Sequence, residues 1–151
     1  MTDTPQKTIT ARHAQKTASM FNLGNLVAML PGLIVVPILW LGSPSYMAQI
    51  VMMILTIVPM LLWFGISIVV YIMARHHPNE RTGHFTQQAA YRYYGVIGFI
   101  IVAGTFYGTN IQYWVITWVI SALILIPWTL LDLVRIRREA WSDTTFIGGS
   151  E

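Results

Sequence analysis

The chain has 151 residues, 55% hydrophobic and 10% charged, with a formal net charge of +3. A soluble domain carries about 25% charged residues, so an ordinary soluble core is excluded and a second folded domain finds no room. The absence of cysteine excludes disulfides, thiolate metal sites, iron–sulfur clusters and S-acylation.

Residues 17–74 and residues 93–131 contain no charged side chain. A hydrocarbon core about 30 Å thick takes about 20 apolar residues per helix, so each stretch has room for two crossings. The expected fold is an all-α integral membrane protein with four transmembrane helices and both termini cytoplasmic.

Residues 1–19 read as a polar cytoplasmic tail, with a short interfacial helix expected over 10–20. A transmembrane domain is expected over 20–134, with spans at about 22–41, 46–73, 93–107 and 112–133. Lys7, Arg12 and Lys16 precede the first apolar run as in a signal peptide. That run exceeds the usual apolar region of about 7–15 residues and no small-x-small site follows, so it reads as a retained span. Pro31-Gly32 and Pro37 predict kinks in it, a re-entrant break at Pro31-Gly32 being the alternative. Gly42-Ser43-Pro44-Ser45 reads as a turn. The second span is longer than the bilayer and predicts tilt or projection. Pro59 lies near its middle, and Met52, Met53 and Met60 read as adaptable packing residues.

The main cytoplasmic loop is expected over 75–92, with a turn at Pro78-Asn79. Thr86 is expected to cap a helix that starts at Gln87 and continues into the third span. Thr109-Asn110 makes a very short turn before the fourth span, and 135–151 form a basic juxtamembrane segment and tail.

Lys7, Arg12 and Lys16 precede the first span; Arg75, Arg81 and Arg92 lie between the second and third; Arg135, Arg137 and Arg138 follow the fourth. These are all nine basic residues, and positive charge stays cytoplasmic. Aromatics mark the two interfaces: Trp40, Tyr46, Tyr107, Tyr113 and Trp114 outside, Tyr91, Tyr93, Tyr94 and Trp128 inside. A bacterial inner membrane is the expected location. The basic residues imply membrane lipid rather than nucleic acid as partner.

Ionisable residues within spans are functional by default, and none is found there. Asp132 is nearest, three residues before Arg135, and reads as half of a helical ion pair. No acidic residue stands in the first span, no cysteine pair is present, and no histidine lies within a span. The chain thus differs from small multidrug exporters, thiol oxidases and b-type cytochromes. No enzyme activity, cofactor or metal is expected.

The loop is the richest surface: His76, His77, Asn79, Glu80, Arg81, His84, Gln87, Gln88 and Arg92 are candidate partner-binding residues. Imidazoles bind zinc or copper, so His76, His77, Glu80 and His84 are also weighed as a metal set, against a solvated loop near headgroups. Gly95, Gly98, Gly104 and Gly108 are candidate helix-packing residues, within the chain or against another. Arg135, Arg137 and Arg138 are candidate lipid-headgroup contacts. Asn22, Asn25, Asn110 and Gln112 stand near span ends and read as partners for backbone or headgroups, a polar path being the alternative.

The stretch NLGNLVAMLPGLIVVPILWLG and the later RTGHFTQQAAYRYYGVIGF carry a likeness through Leu26, Pro37, Trp40, His84 and Ala89. The chain resembles small bacterial four-helix membrane proteins of unknown function, related to a component of the chloroplast inner-envelope import machinery. In that group the histidine motif lies nearer the first span, whereas here a whole span intervenes. The resemblance implies a transport or translocation-accessory role. The residues themselves point to a non-enzymatic accessory, assembly or stabilising subunit of a larger membrane complex. Its partner is expected to be another integral membrane protein or a second copy. An oligomeric channel or transporter for a small solute or lipid is the alternative, and a metal or redox protein built on the loop histidines a second.

Overall fold

The computed structural model describes residues 6–108 and 110–147. Four helices follow one another: α1 Ala11–Leu41, α2 Tyr46–Arg75, α3 Glu80–Tyr107 and α4 Ile111–Arg138. All four are long and apolar enough to cross a membrane. Two short strands, β1 Gln6–Ile9 and β2 Thr144–Ile147, pair antiparallel with Gln6 opposite Ile147. That pairing brings both ends of the described chain to one end of the bundle.

Each helix starts where its sequence supplies a cap. The Thr10 hydroxyl accepts from the His13 amide at 3.3 Å, and Ser45 accepts from Ala48 at 3.4 Å. Asn110 accepts from Gln112 at 2.9 Å. Its neighbour in the expected turn, Thr109, lies outside the described residues.

The third helix differs most from expectation. The loop expected over 75–92 is helical from Glu80, leaving only a tight turn after α2. Asn79 is the cap, its Oδ1 accepting from Arg81 at 3.1 Å and Thr82 at 3.4 Å. Glu80 then places a negative charge on the first turn, where the helix dipole favours it. Thr86 caps nothing and lies fully buried. The polar stretch was helical because it is amphipathic: Thr82, Gly83, Phe85, Thr86, Ala89, Ala90 and Tyr93 recur at helical spacing and all face inward.

The expected tail over 1–19 is likewise ordered in its described part. Residues 6–9 are strand, and α1 begins at Ala11 and runs unbroken through Pro31 and Pro37. The re-entrant alternative therefore does not apply. At about 1.5 Å per residue, the 31 residues of α1 exceed the bilayer core. The polar ends of α1, α3 and α4 form a collar below the apolar part.

Helix α1 is the hub and packs against the other three. Its Gly24 lies under Trp63 of α2 and its Gly32 under Trp118 of α4, so that a Cβ at either position would enter the indole. Phe21 meets Trp63, Tyr93 and Tyr94 edge-on, with ring centroids 5.5, 6.2 and 6.1 Å away. Helix α2 is peripheral. It buries only Thr56, Met60, Ser67 and Ala74, a narrow stripe with steps of four and seven, and turns its wide apolar face outward.

Polar side chains cross-link the helices inside the apolar region, where water cannot compete. The Trp63 indole donates to Asn25 Oδ1 at 2.9 Å, and the Tyr93 hydroxyl donates to the Met60 carbonyl at 2.7 Å. The Trp114 indole donates to Thr56 Oγ1 at 3.3 Å. Asn22 and Asn25 are therefore interior residues, fully buried, rather than contacts for headgroups.

Candidate functional site

The site is built on the facing polar ends of α3 and α4. Asp132, which the sequence presents as half of a helical ion pair with Arg135, is fully buried. Its main partner comes from the neighbouring helix: Arg92 Nη1 donates to Asp132 Oδ2. Arg135 is secondary, with Nη1 3.7 Å from Oδ1. Arg92, expected on a docking loop, is thus an inward-facing helical residue, its side chain only 23% exposed.

Two further contacts hold the Arg92 guanidinium. Its Nη2 donates to Gln88 Oε1 at 3.3 Å, and its centre lies 4.9 Å from the Trp128 ring. Gln88 Nε2 in turn lies 3.0 Å from His84 Nε2. Positions 84, 88 and 92 are four apart on α3, so one helical face carries this polar chain down to the buried carboxylate. Desolvation penalises each ion, and their close pairing offsets it. Asp132 Oδ1, Thr86 Oγ1 and both amide atoms of Asn22 are buried with no hydrogen-bond partner.

The other sequence candidates fall into separate places. His77 stacks on His13 of α1 at 6.1 Å, and its Nδ1 accepts from the Asn79 amide at 3.1 Å. Burial, and then the neighbouring His13, hold the His77 imidazole below its ordinary value of 6.5. His76 caps the end of α2, and His84 points to Gln88. Among the described residues no three His, Asp or Glu side chains are placed to hold a metal ion. Gln87 bonds the Tyr91 hydroxyl at 2.6 Å along its own helix.

Asn79 and Arg81 join the collar. Asn79 Nδ2 donates to Thr144 Oγ1 at 3.2 Å, and Arg81 Nη1 donates to the Ala140 carbonyl at 3.1 Å and lies 3.4 Å from Glu139 Oε2. Asp143 Oδ1 accepts from the Ala11 amide at 2.7 Å, closing the start of α1. The Trp141 indole donates to the Ile136 carbonyl at 2.8 Å and packs against Phe85. The segment after α4 therefore straps the polar ends of α1, α3 and α4 together. Arg137 and Arg138, like Arg135, are exposed on the last turn of α4.

The candidate packing glycines are not used inside the chain. Gly95, Gly98 and Gly104 have open space where a Cβ would stand, and Gly108 caps α3 against its own Gly104 carbonyl. The internal close approaches are made instead by Gly24 and Gly32 under tryptophans of neighbouring helices and by Gly83 against the Arg75 carbonyl, and nothing in the sequence sets these three apart. A separate concavity of about 420 Å³ lies between α1 and α4, lined by Val36, Pro37, Trp40, Val115 and Val119 among others, all apolar. Compared with protein-family models, with curated proteins and with solved structures, the chain matches none.

Proposed function

We propose that this chain is a non-enzymatic, membrane-embedded accessory subunit that packs through α3 against another integral membrane protein. The observation that carries this is the division of its glycines. Gly24 and Gly32 are filled by tryptophans of the same chain, whereas Gly95, Gly98 and Gly104 have nothing within 4 Å. Small residues let membrane helices approach closely. The side of α3 that Gly95 and Gly98 leave open, three positions apart, suits a helix of another protein.

The strapped polar collar supports the same reading, because it holds fixed the end of α3 from which the open side extends. All nine basic residues flank the apolar segments at the end that carries both ends of the described chain and the α2–α3 turn. Charge bias therefore favours that end as cytoplasmic, in a membrane such as the bacterial inner membrane. Gly95→Leu/Gly98→Leu should leave the purified chain folded, since neither side chain meets a neighbour, and should abolish co-purification of the partner. Unchanged co-purification would sink the reading. Loss of a homodimer instead would identify the partner as a second copy.

A further inference from the structure

Between the polar ends of α3 and α4 lies a groove of about 510 Å³. Glu80, Arg81, His84 and Gln88 of α3 and Arg135 and Glu139 of α4 line it, with Phe85 as its apolar lining side chain. Two guanidiniums and two carboxylates face one space, so its charges of opposite sign balance. Arg81 is already bound to Glu139 at 3.4 Å, while Arg135 is held only at 3.7 Å by Asp132. Such a lining suits a ligand that itself carries both signs.

Along both helices the groove is followed by an exposed apolar strip. On α3 the face through Gln88 and Arg92 continues, at steps of three and four, to Gly95 and Phe99. Gly95 has open space beside it. On α4 the face through Glu139 and Arg135 continues to Leu131 and Trp128, which are 49% and 45% exposed. The step from charged groove to apolar strip lies where each helix passes from its polar end to its uncharged run. An amphipathic ligand spans that step.

We propose that the groove binds a glycerophospholipid whose headgroup carries a phosphate and a primary ammonium, a phosphatidylethanolamine. The phosphate sits on the Arg135 and Arg81 guanidiniums, whose forked donors match its oxygens. The ammonium donates to Glu80, while Glu139 stays paired with Arg81. One acyl chain runs past Gly95 and Trp128. A choline headgroup has no N–H to donate to Glu80, and an anionic glycerol headgroup leaves it facing uncompensated negative charge.

This inference rests on the membrane-embedded reading but not on a partner subunit. The test uses the full chain, first washed in its native membranes with alkaline carbonate and then purified in mild detergent. Native mass spectrometry then follows titration with phosphatidylethanolamine, phosphatidylcholine and phosphatidylglycerol of identical chains. Phosphatidylethanolamine should bind about tenfold more tightly than phosphatidylcholine, the equivalent of one well-placed charged contact. Glu80→Gln should remove that preference while leaving phosphatidylcholine binding unchanged. Gly95→Trp should weaken all three lipids by filling the strip, and Arg135→Gln should do so by removing the phosphate contact. If Arg135→Gln fails to fold, Glu80→Gln and Gly95→Trp still decide the matter, since both alter exposed positions. Equal binding of the two zwitterionic lipids, tighter binding of phosphatidylglycerol, or a preference that survives Glu80→Gln would overturn the proposal. A chain released by carbonate overturns the membrane reading with it, whereas a carbonate-resistant chain without preference overturns this inference alone.

Discussion

Replacing Arg92 by Met tests whether the buried pair between α3 and α4 holds the polar end of the bundle. The substitution keeps the aliphatic stem and removes the guanidinium. Asp132 is fully buried and would then keep only Arg135, 3.7 Å away. Removing one partner of a buried pair costs about 3–5 kcal/mol. Arg135 can move inward, so the lower figure of about 3 kcal/mol applies, and the stacking on Trp128 adds about 0.5–1 kcal/mol. Asp132→Leu should cost less, about 1–2 kcal/mol, because the partly exposed Arg92 can extend its head to water. Arg135→Met should cost under about 1 kcal/mol, since that side chain is 56% exposed. The double variant Arg92→Met/Asp132→Leu should be more stable than Arg92→Met alone, because no ion is left unpaired. Reversible unfolding in mixed detergent micelles, arranged as a double-mutant cycle, measures the coupling. Additive costs, or an Arg92→Met cost below about 0.5 kcal/mol, would refute the reasoning.

Other substitutions separate the packing roles. Gly24→Ala drives a methyl group into the Trp63 ring and displaces the indole from Asn25, an overpacking cost of about 1–3 kcal/mol. Gly95→Ala meets nothing, and in the isolated chain should stabilise α3 by up to about 1 kcal/mol; unfolding midpoints of the two variants should shift in opposite directions. Asp143→Ala removes the carboxylate that accepts from the Ala11 amide and should cost about 1 kcal/mol. Limited proteolysis should then cut after α4 faster than in the parent chain, and equal rates would count against the strap. The depressed pKa of His77 means that the unfolded chain binds its proton at higher pH than the folded one. Its contribution is present above the ordinary value of 6.5 and is lost as pH falls through it towards the folded value. His77→Gln should flatten that part of the pH–stability curve, and an unchanged slope would assign the dependence to other groups.

The four helices were legible because their cause is local. Residues 17–74 and 93–131 lack charge, and a run of that length suits lipid rather than water. The placing of every basic residue at one end was equally legible, since it needs only the order of charges along the chain. The start of α3 was legible in principle, in Asn79 followed by Glu80 and in the inward recurrence of Thr82, Phe85, Ala89 and Tyr93. The density of polar residues obscured it, because polarity marks both loops and helices that project beyond a membrane.

Only the tertiary structure decided the rest. Asp132 lies three residues from Arg135 in sequence but is held chiefly by Arg92, forty positions away. No local rule makes that choice, because the inward face of α4 is set by the helices it packs against. Nor does sequence distinguish Gly24 from Gly95. Both are glycines in apolar helices, and only the arrangement of neighbouring spans puts an indole over one and open space beside the other. The strands at the two ends carry no strong signal of their own. Residues 6–9 become a strand because the folded helices bring 144–147 alongside them. Hydropathy and charge order are properties of a chain, whereas pairing and close packing are properties of which surfaces meet.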